Sequence, residues 1–400
     1  MNLSDHELAL LDGRGGRAAR KAMEILVALG RIYGAERLVP VASVQVSGVS
    51  FHNLGDAGLE WIEDMALDGR AAAIATLNPA GMDLEAWREQ GIDESFARAQ
   101  LRIVDAYRRM GIAASCTCTP YLVGNLPAPG EHVAWSESSA VTFANTVLGA
   151  RTNREGGPSA LAAALTGRTP AYGLHLDVDR RPTLEVRLGA RPEGWDTSWW
   201  GALGCALGRL AQGRVAIVRD PPGRPDVAEL KSFCAAVVTS GGSPLVHIEG
   251  ITPEAGRFPS PDESVELTAT HVRDAFEELT DPGDEIDIVC LGCPHASLGE
   301  LARIAQGLEG RQVRVTTWVC TARSTAALAR EIGLTAAIEA AGGRVVCDTC
   351  FVVAPLAGRF RAVATDSAKG CFYARGHNRL AVRLGSLDRC LDAAVRGRWS

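Results

Sequence analysis

The chain has 400 residues, 46% of them hydrophobic and 22% charged, so it can bury a large core divided over two or three lobes and is not globally disordered. Its 41 Lys and Arg against 47 Asp and Glu leave a formal net charge of −6, which offers no basic field for gripping a nucleic-acid backbone. No run approaches the roughly 18 to 20 consecutive apolar residues of a membrane-spanning helix, and the charges scattered from Asp5 to Lys21 are wrong for a signal peptide. A cytoplasmic protein is expected, with neither nucleic acid nor membrane as a partner. In that compartment its 11 cysteines read as thiols or metal ligands rather than disulfides.

Short apolar runs alternating with helical patterns place the chain in the α/β class with mostly parallel sheets. In the first part, strands are expected at 38–46, 71–77, 112–115 and 133–135, followed by an apolar helix over 140–148 and an Ala-rich helix over 159–166. A middle part follows with strands at 172–178, 184–188, 215–218 and 244–248 and a helix over 227–238. The Pro- and Gly-rich 220–225 and the segment 257–263 read as surface connections. The last part alternates most clearly, with strands at 286–290, 313–319, 344–347 and 361–365 and helices over 298–308 and 324–332, the second capped by Ser324 or Thr325. Lobes are accordingly expected at 1–170, 171–265 and 266–400.

In open α/β sheets ligands bind beyond the carboxyl ends of the strands, and here those positions are polar and rich in sulfur. Cys116-Thr-Cys118, Cys290-Leu-Gly-Cys293-Pro-His295, Cys320 and Cys347-Asp-Thr-Cys350 each follow or end an expected strand. One thiolate from each of three distant loops can hold an iron–sulfur cluster with one iron left open. Two C-x-x-C pairs keep zinc in view as well, although they lie too far apart for a zinc ribbon. Cys205, Cys234, Cys371 and Cys390 sit singly in apolar or helical settings and read as packing residues. Ser136-Glu-Ser-Ser139 opens a helix and reads as a cap. In Thr152-Asn-Arg-Glu-Gly-Gly-Pro-Ser159 the helix entry, together with Arg154, suits either an anion or an ordinary capped turn.

Taken in order, Ser47-Gly-Val-Ser50, Thr76-Leu-Asn-Pro79, Thr117-Cys-Thr-Pro-Tyr121, Ala134-Trp-Ser-Glu-Ser-Ser-Ala140, Ala144-Asn-Thr-Val-Leu-Gly-Ala-Arg-Thr-Asn-Arg-Glu-Gly-Gly157, Gly250-Ile-Thr-Pro-Glu254, Gly292-Cys-Pro-His295 and Asp348-Thr-Cys350 resemble the aconitase X family over nearly the whole chain. The resemblance implies aconitase-like three-layer α/β/α lobes and a hydro-lyase that removes water from a small hydroxy acid. It places Cys118, Cys293 and Cys350 as ligands of an iron–sulfur cluster, with Cys116 and Cys347 as neighbours in the same motifs. Lys369 and Glu137 are the candidate catalytic residues, and Ser47, Asn78, Ser138, Asn153 and Arg154 the candidate substrate-binding ones. The chain lacks a swivelling domain with a Gly-Pro-x-Ser type motif, so it is expected to be a large subunit. Its partner would be a small subunit that carries the catalytic serine, and the chain alone is expected to be inactive.

Two activities of that family compete. An Ala-, Arg- and Gly-rich composition with few lysines suggests a high-GC bacterium and amino-acid catabolism, which favours dehydration of cis-3-hydroxy-L-proline to Δ1-pyrroline-2-carboxylate. Mevalonate 5-phosphate is the alternative substrate. A non-catalytic metal-binding or redox-sensing protein is the alternative of another class.

Overall fold

The structure is a computed structural model that describes residues 1–189, 196–221 and 223–399. Part of the expected 220–225 connection therefore lies outside the described residues. Among these residues no helix is long and apolar enough to cross a membrane.

Three parallel sheets follow one another along the chain, each with its first strand inside the sheet rather than at an edge. The first has the order Ile74–Leu77, Ser43–Val46, Val133–Trp135, and the second Val246–Ile248, Ala216–Arg219, Leu184–Leu188, Ser264–Leu267. The third has the order Arg344–Cys347, Thr316–Thr321, Ile288–Ala296, Ala362–Thr365, Ala381–Leu384. A first strand flanked on both sides means that successive crossovers run in opposite directions, which opens a crevice at the carboxyl ends where the order reverses. A short antiparallel pair, Leu38–Pro40 with Arg168–Pro170, closes the first part. The mixed α/β class with mostly parallel sheets is therefore as expected.

Alternation along the strands shows why both faces of the third sheet are covered. Ile288, Cys290, Trp318, Cys320 and Val363 belong to one buried cluster, whereas Val289, Leu291, Val319 and Ala364 belong to another. Successive residues of a strand point to opposite faces, so buried residues at every position require a helical layer on each side. One layer contains Leu298–Gly307 and Leu387–Arg396; the other contains Val227–Gly241 and Ala368–Asn378. The cluster of Ile288, Cys290 and Trp318 continues through Leu184, Val218 and Ile248 of the middle sheet to Val133 and Trp135 of the first. One apolar core thus joins all three parts.

Local sequence explains the helices that frame the site. Val227–Gly241 and Leu298–Gly307 each begin in a capping box, Asp226 with Glu229 and Ser297 with Glu300. The helix Thr197–Ala211 lies close against Val227–Gly241 at Gly208 and Gly241, where a Cβ on Gly241 would come within 1.8 Å of the Gly208 carbonyl oxygen. Only glycine permits that approach.

Several expected elements differ. The segment 172–178 forms no strand but two short 3-10 turns, Gly173–His175 and Val178–Arg180; Gly173 has φ +55°, outside the extended region. The 112–115 strand reduces to a single bridge between Ala113 and Thr76. The helix expected over 140–148 becomes Ser138–Phe143 followed by a π-turn at Ala144–Leu148. Ser324 and Thr325 do not cap their helix; its N-cap is Ala322, with no side-chain hydrogen bond. The strand Ser264–Leu267, which a boundary at 265 would divide, is an edge of the middle sheet.

Candidate active site

The site grows from residues that stop pairing at the carboxyl ends of the first and third sheets, where those two sheets face one another. After Ile74–Leu77 comes Asn78, and after Val133–Trp135 comes Glu137, the N-cap of Ser138–Phe143. After Ala362–Thr365 the chain turns into a helix whose N-cap is Ser367 and whose second residue is Lys369. Lys369 and Glu137 form a buried ion pair across the seam, with side chains 8% and 13% exposed. Lys369 Nζ also donates to Ser139 Oγ at 3.2 Å.

Glu137 is held on every side. Asn78 Nδ2 donates to its Oε2 at 2.8 Å, and Ser139 Oγ and Ser138 Oγ donate to Oε1 at 3.1 and 3.4 Å. Gln45 accepts from the Glu137 backbone N–H at 3.2 Å and donates to the Thr117 carbonyl at 3.0 Å. Burial alone would raise the Glu137 pKa, but the Lys369 charge and hydrogen bond, with Asn78 and Ser139, outweigh it and carry the carboxyl down to about 2. Burial opposes the charge on Lys369, yet the carboxylate partner holds the ammonium well above its ordinary value. At neutral pH both groups are ionised.

The three candidate ligand cysteines converge beside this pair. Cys350 donates its thiol to Cys293, which raises Cys350 and lowers Cys293; burial pushes Cys350 further up and opposes the lowering of Cys293, which Lys369 and the Ser367 hydroxyl assist. Cys118 accepts from the His295 backbone N–H at 3.2 Å. Burial, and then the Glu137 charge, push its thiol up to about 12, while Lys369 pulls the other way. Cys320 adds a further buried sulfur that interacts with Cys118, Cys293 and Cys350. Cys116 and Cys347 instead neighbour Arg323 and Asp348, and the Cys347 backbone N–H donates to Asp83 at 3.0 Å. Gly292 sets the direction of Cys293: its φ is +84° and a Cβ there would sit 2.1 Å from the Cys320 carbonyl oxygen, so only glycine fits.

This donor set suits an iron–sulfur cluster. Three soft sulfurs arrive from three loops, the Ser367 hydroxyl already donates to one of them, and the buried Thr349 hydroxyl beside Cys350 has no hydrogen-bond partner among the described residues. It is therefore a donor that a sulfide can accept from.

The remaining sequence-derived candidates divide. Asn78 and Ser138 join the Glu137 group, as described. Ser47 is half-buried at the end of Ser43–Val46, and its carbonyl oxygen would lie 2.8 Å from a Cβ on Gly157, so the 152–157 loop packs directly on it. Arg154 is exposed in that loop and has no ion pair among the described residues. Asn153 shares no hydrogen bond with the Glu137 group: its amide donates to the Tyr172 carbonyl and accepts from the Leu174 N–H, each at 2.9 Å. The structure brings in residues to which the sequence reading gave no site role, namely Gln45, Ser139, Thr117, Lys231 and the ring of His295. Of these, Thr117, Ser139 and His295 stood inside quoted motifs.

Comparison with known proteins agrees with this architecture. Family models described as the first, second and third domains of aconitase X match residues 1–178, 182–277 and 286–396. The phosphomevalonate dehydratase large subunit of Methanothermobacter thermautotrophicus is 50% identical over 375 residues, covering 92% of this chain and 93% of that protein. The cis-3-hydroxy-L-proline dehydratase of Pseudomonas aeruginosa is 36% identical and covers 99% of this chain and 70% of that one. The crystal structure of Thermococcus kodakaraensis aconitase X in its holo-form superposes with a TM-score of 0.91 at 40% identity, covering 98% of this chain and 100% of the other. The chain belongs to the aconitase X family and is a dehydratase large subunit of that type.

Proposed function

We propose that the chain is the large subunit of a mevalonate 5-phosphate dehydratase, with an iron–sulfur cluster held by Cys118, Cys293 and Cys350. We further propose a small subunit that completes the site with a serine base. One observation carries the reading: three sulfurs from three loops meet beside a buried Lys369–Glu137 pair at the seam of the first and third sheets. When bound, the cluster supplies a Lewis-acidic iron for a leaving hydroxyl or a carboxylate.

The chain's own residues supply fixed charge and orientation. Dehydration removes a proton from the carbon between the carboxylate and the tertiary alcohol, and the hydroxyl leaves with a second proton as water, so a double bond forms between those carbons. A carboxyl held near 2 is a poor base at neutral pH. Glu137 is accordingly assigned to holding Lys369 and Asn78 in place, and Lys369 to the substrate carboxylate and the negative charge that develops on it. Ser138, which donates to Glu137, and Ser47, at the end of Ser43–Val46, are assigned to holding the substrate. Arg154 stands beside the entry to the helix Gly157–Thr166, where an unpaired guanidinium and free backbone N–H groups suit a phosphate.

The pattern of relatives supports the substrate. Five named phosphomevalonate dehydratase large subunit match at 38 to 50% identity, with at least 93% of their own length covered. The two named cis-3-hydroxy-L-proline dehydratase match at 35 and 36%, with 69 and 70% of their length covered. The preference for hydroxyproline drawn from composition is therefore not kept: composition reports the coding bias of a genome, not the shape or charge of a pocket. The test is to reconstitute the chain anaerobically with its small subunit and offer each substrate. Turnover of mevalonate 5-phosphate with none of cis-3-hydroxy-L-proline is expected; the reverse preference overturns the reading.

A further inference from the structure

His295 stands two residues past Cys293 and reaches both other thiol-bearing loops. Its Nδ1 lies 2.9 Å from the Thr117 hydroxyl, one residue before Cys118, and its Nε2 lies 3.0 Å from the Thr349 carbonyl oxygen, one residue before Cys350. Its own backbone N–H donates to Cys118 Sγ. A carbonyl only accepts, so the hydrogen-bond pattern assigns the ring hydrogen to Nε2 and leaves Nδ1 to accept from Thr117. Thr117 Oγ1 in turn accepts from the Thr119 N–H at 3.2 Å. The ring is fully buried. Among the described residues no other side chain hydrogen-bonds to both the 117 and the 349 segments.

The peptide of His295 is gripped from the opposite side. Lys231, on the middle-part helix Val227–Gly241 and only 3% exposed, donates to the His295 carbonyl at 2.8 Å and pairs with Glu300 at 2.6 Å. A buried ammonium is retained only where its donors are matched, and here one of the matching acceptors is the carbonyl of a residue between the cysteine loops. All three parts of the chain therefore meet at one residue, two through its ring and one through its peptide.

We propose that His295 is a positioning residue that holds the loops of Cys118, Cys293 and Cys350 in register for the cluster, with Lys231 fixing its peptide from the middle sheet. The proposal rests on reading those three cysteines as ligands. Groups that orient ligands without touching a metal centre commonly change its affinity by about 10–100-fold when removed.

The test measures iron and sulfide per chain after anaerobic reconstitution, and the rate at which a chelator then strips the iron. His295→Gln keeps a donor near the Nε2 position, His295→Asn keeps an acceptor near Nδ1, and His295→Ala keeps neither. His295→Ala is expected to lose iron about 10–100-fold faster than the parent, the other two at intermediate rates, and all with the parent's far-ultraviolet circular dichroism. Thr117→Val, which removes the hydroxyl that His295 and Thr119 share, and Lys231→Met are expected to fall between as well, and they carry the test if His295→Ala fails to fold. Parent-like release from His295→Gln, His295→Asn and Thr117→Val, in a series whose parent is fully loaded, overturns the positioning role alone. A folded parent that takes up no iron or sulfide overturns the ligand reading and this proposal together.

Discussion

Replacing Lys369 by Met keeps the aliphatic stem and removes the charge, so it isolates what the buried ion pair contributes. With Lys369 present the Glu137 carboxyl sits at about 2 against an ordinary 4.5, which corresponds to about 3 kcal/mol of preference for the charged form in the folded chain. A carboxyl depressed on folding stabilises above its unfolded pKa, and the contribution is lost as pH falls through the folded value. For the parent it is complete above about 4.5 and gone only below about 2. In Lys369→Met, burial dominates and lifts Glu137 above its ordinary value, so folding takes up a proton instead. The variant is expected to be less stable than the parent by about 3 kcal/mol at pH 7, in line with breaking a buried pair from one side, and the deficit should shrink as pH falls toward 5. Adding Glu137→Gln to Lys369→Met removes the stranded charge and should recover most of the loss. Urea unfolding of the three chains at pH 7 and pH 5, followed by tryptophan fluorescence, measures this. A loss below about 1 kcal/mol for Lys369→Met, or a double variant no more stable than the single one, refutes the reasoning.

The other predictions are as direct. Gly292→Ala should destabilise the chain by at least about 2 kcal/mol, read by the same unfolding assay, because a Cβ would press on the Cys320 carbonyl at 2.1 Å in a backbone at φ +84°. Gly241→Ala should drive the two middle-part helices apart, since its Cβ would stand 1.8 Å from the Gly208 oxygen; a lowered thermal midpoint checks it, and an unchanged one contradicts the packing. Arg154→Gln in the reconstituted enzyme should raise KM for mevalonate 5-phosphate about 10- to 100-fold with kcat nearly unchanged, the signature of a lost charge-assisted bond to a non-reacting phosphate. A fall in kcat with KM unchanged would place Arg154 in the chemistry instead.

Much of the α/β framework was legible because strands followed by polar loops leave a local pattern: 133–135, 184–188 and 344–347 appear in the structure as Val133–Trp135, Leu184–Leu188 and Arg344–Cys347. The segment 172–178 misled because alternating apolar residues imitate a strand, while Gly173 and the Asn153 amide bend it into turns. The cysteines that converge could be picked out because each lies just past a strand, where an open sheet collects its ligands. The pairing of Lys369 with Glu137 could not, since it spans 232 residues and two sheets. His295 was named with its motif but no role could be read, as its ring partners lie 178 and 54 residues away. Asn153 looked like a substrate ligand from its motif, yet its amide bonds the backbone of a loop about 20 residues on, a demand that nothing in its neighbourhood of sequence announces.

The central claim is that three cysteines from three loops make one iron–sulfur site, and the measurement that tests it most directly is iron and acid-labile sulfide in the anaerobically purified chain. Cys118→Ser, Cys293→Ser and Cys350→Ser are prepared beside the parent, with Cys390→Ser, in the buried cluster on the other face of the third sheet, as a control. Iron and sulfide in the parent and the control, and their loss from each of the other three, is the predicted result. Zinc without sulfide in a folded parent, or iron and sulfide retained by any of the three ligand variants at the parent level, would contradict it.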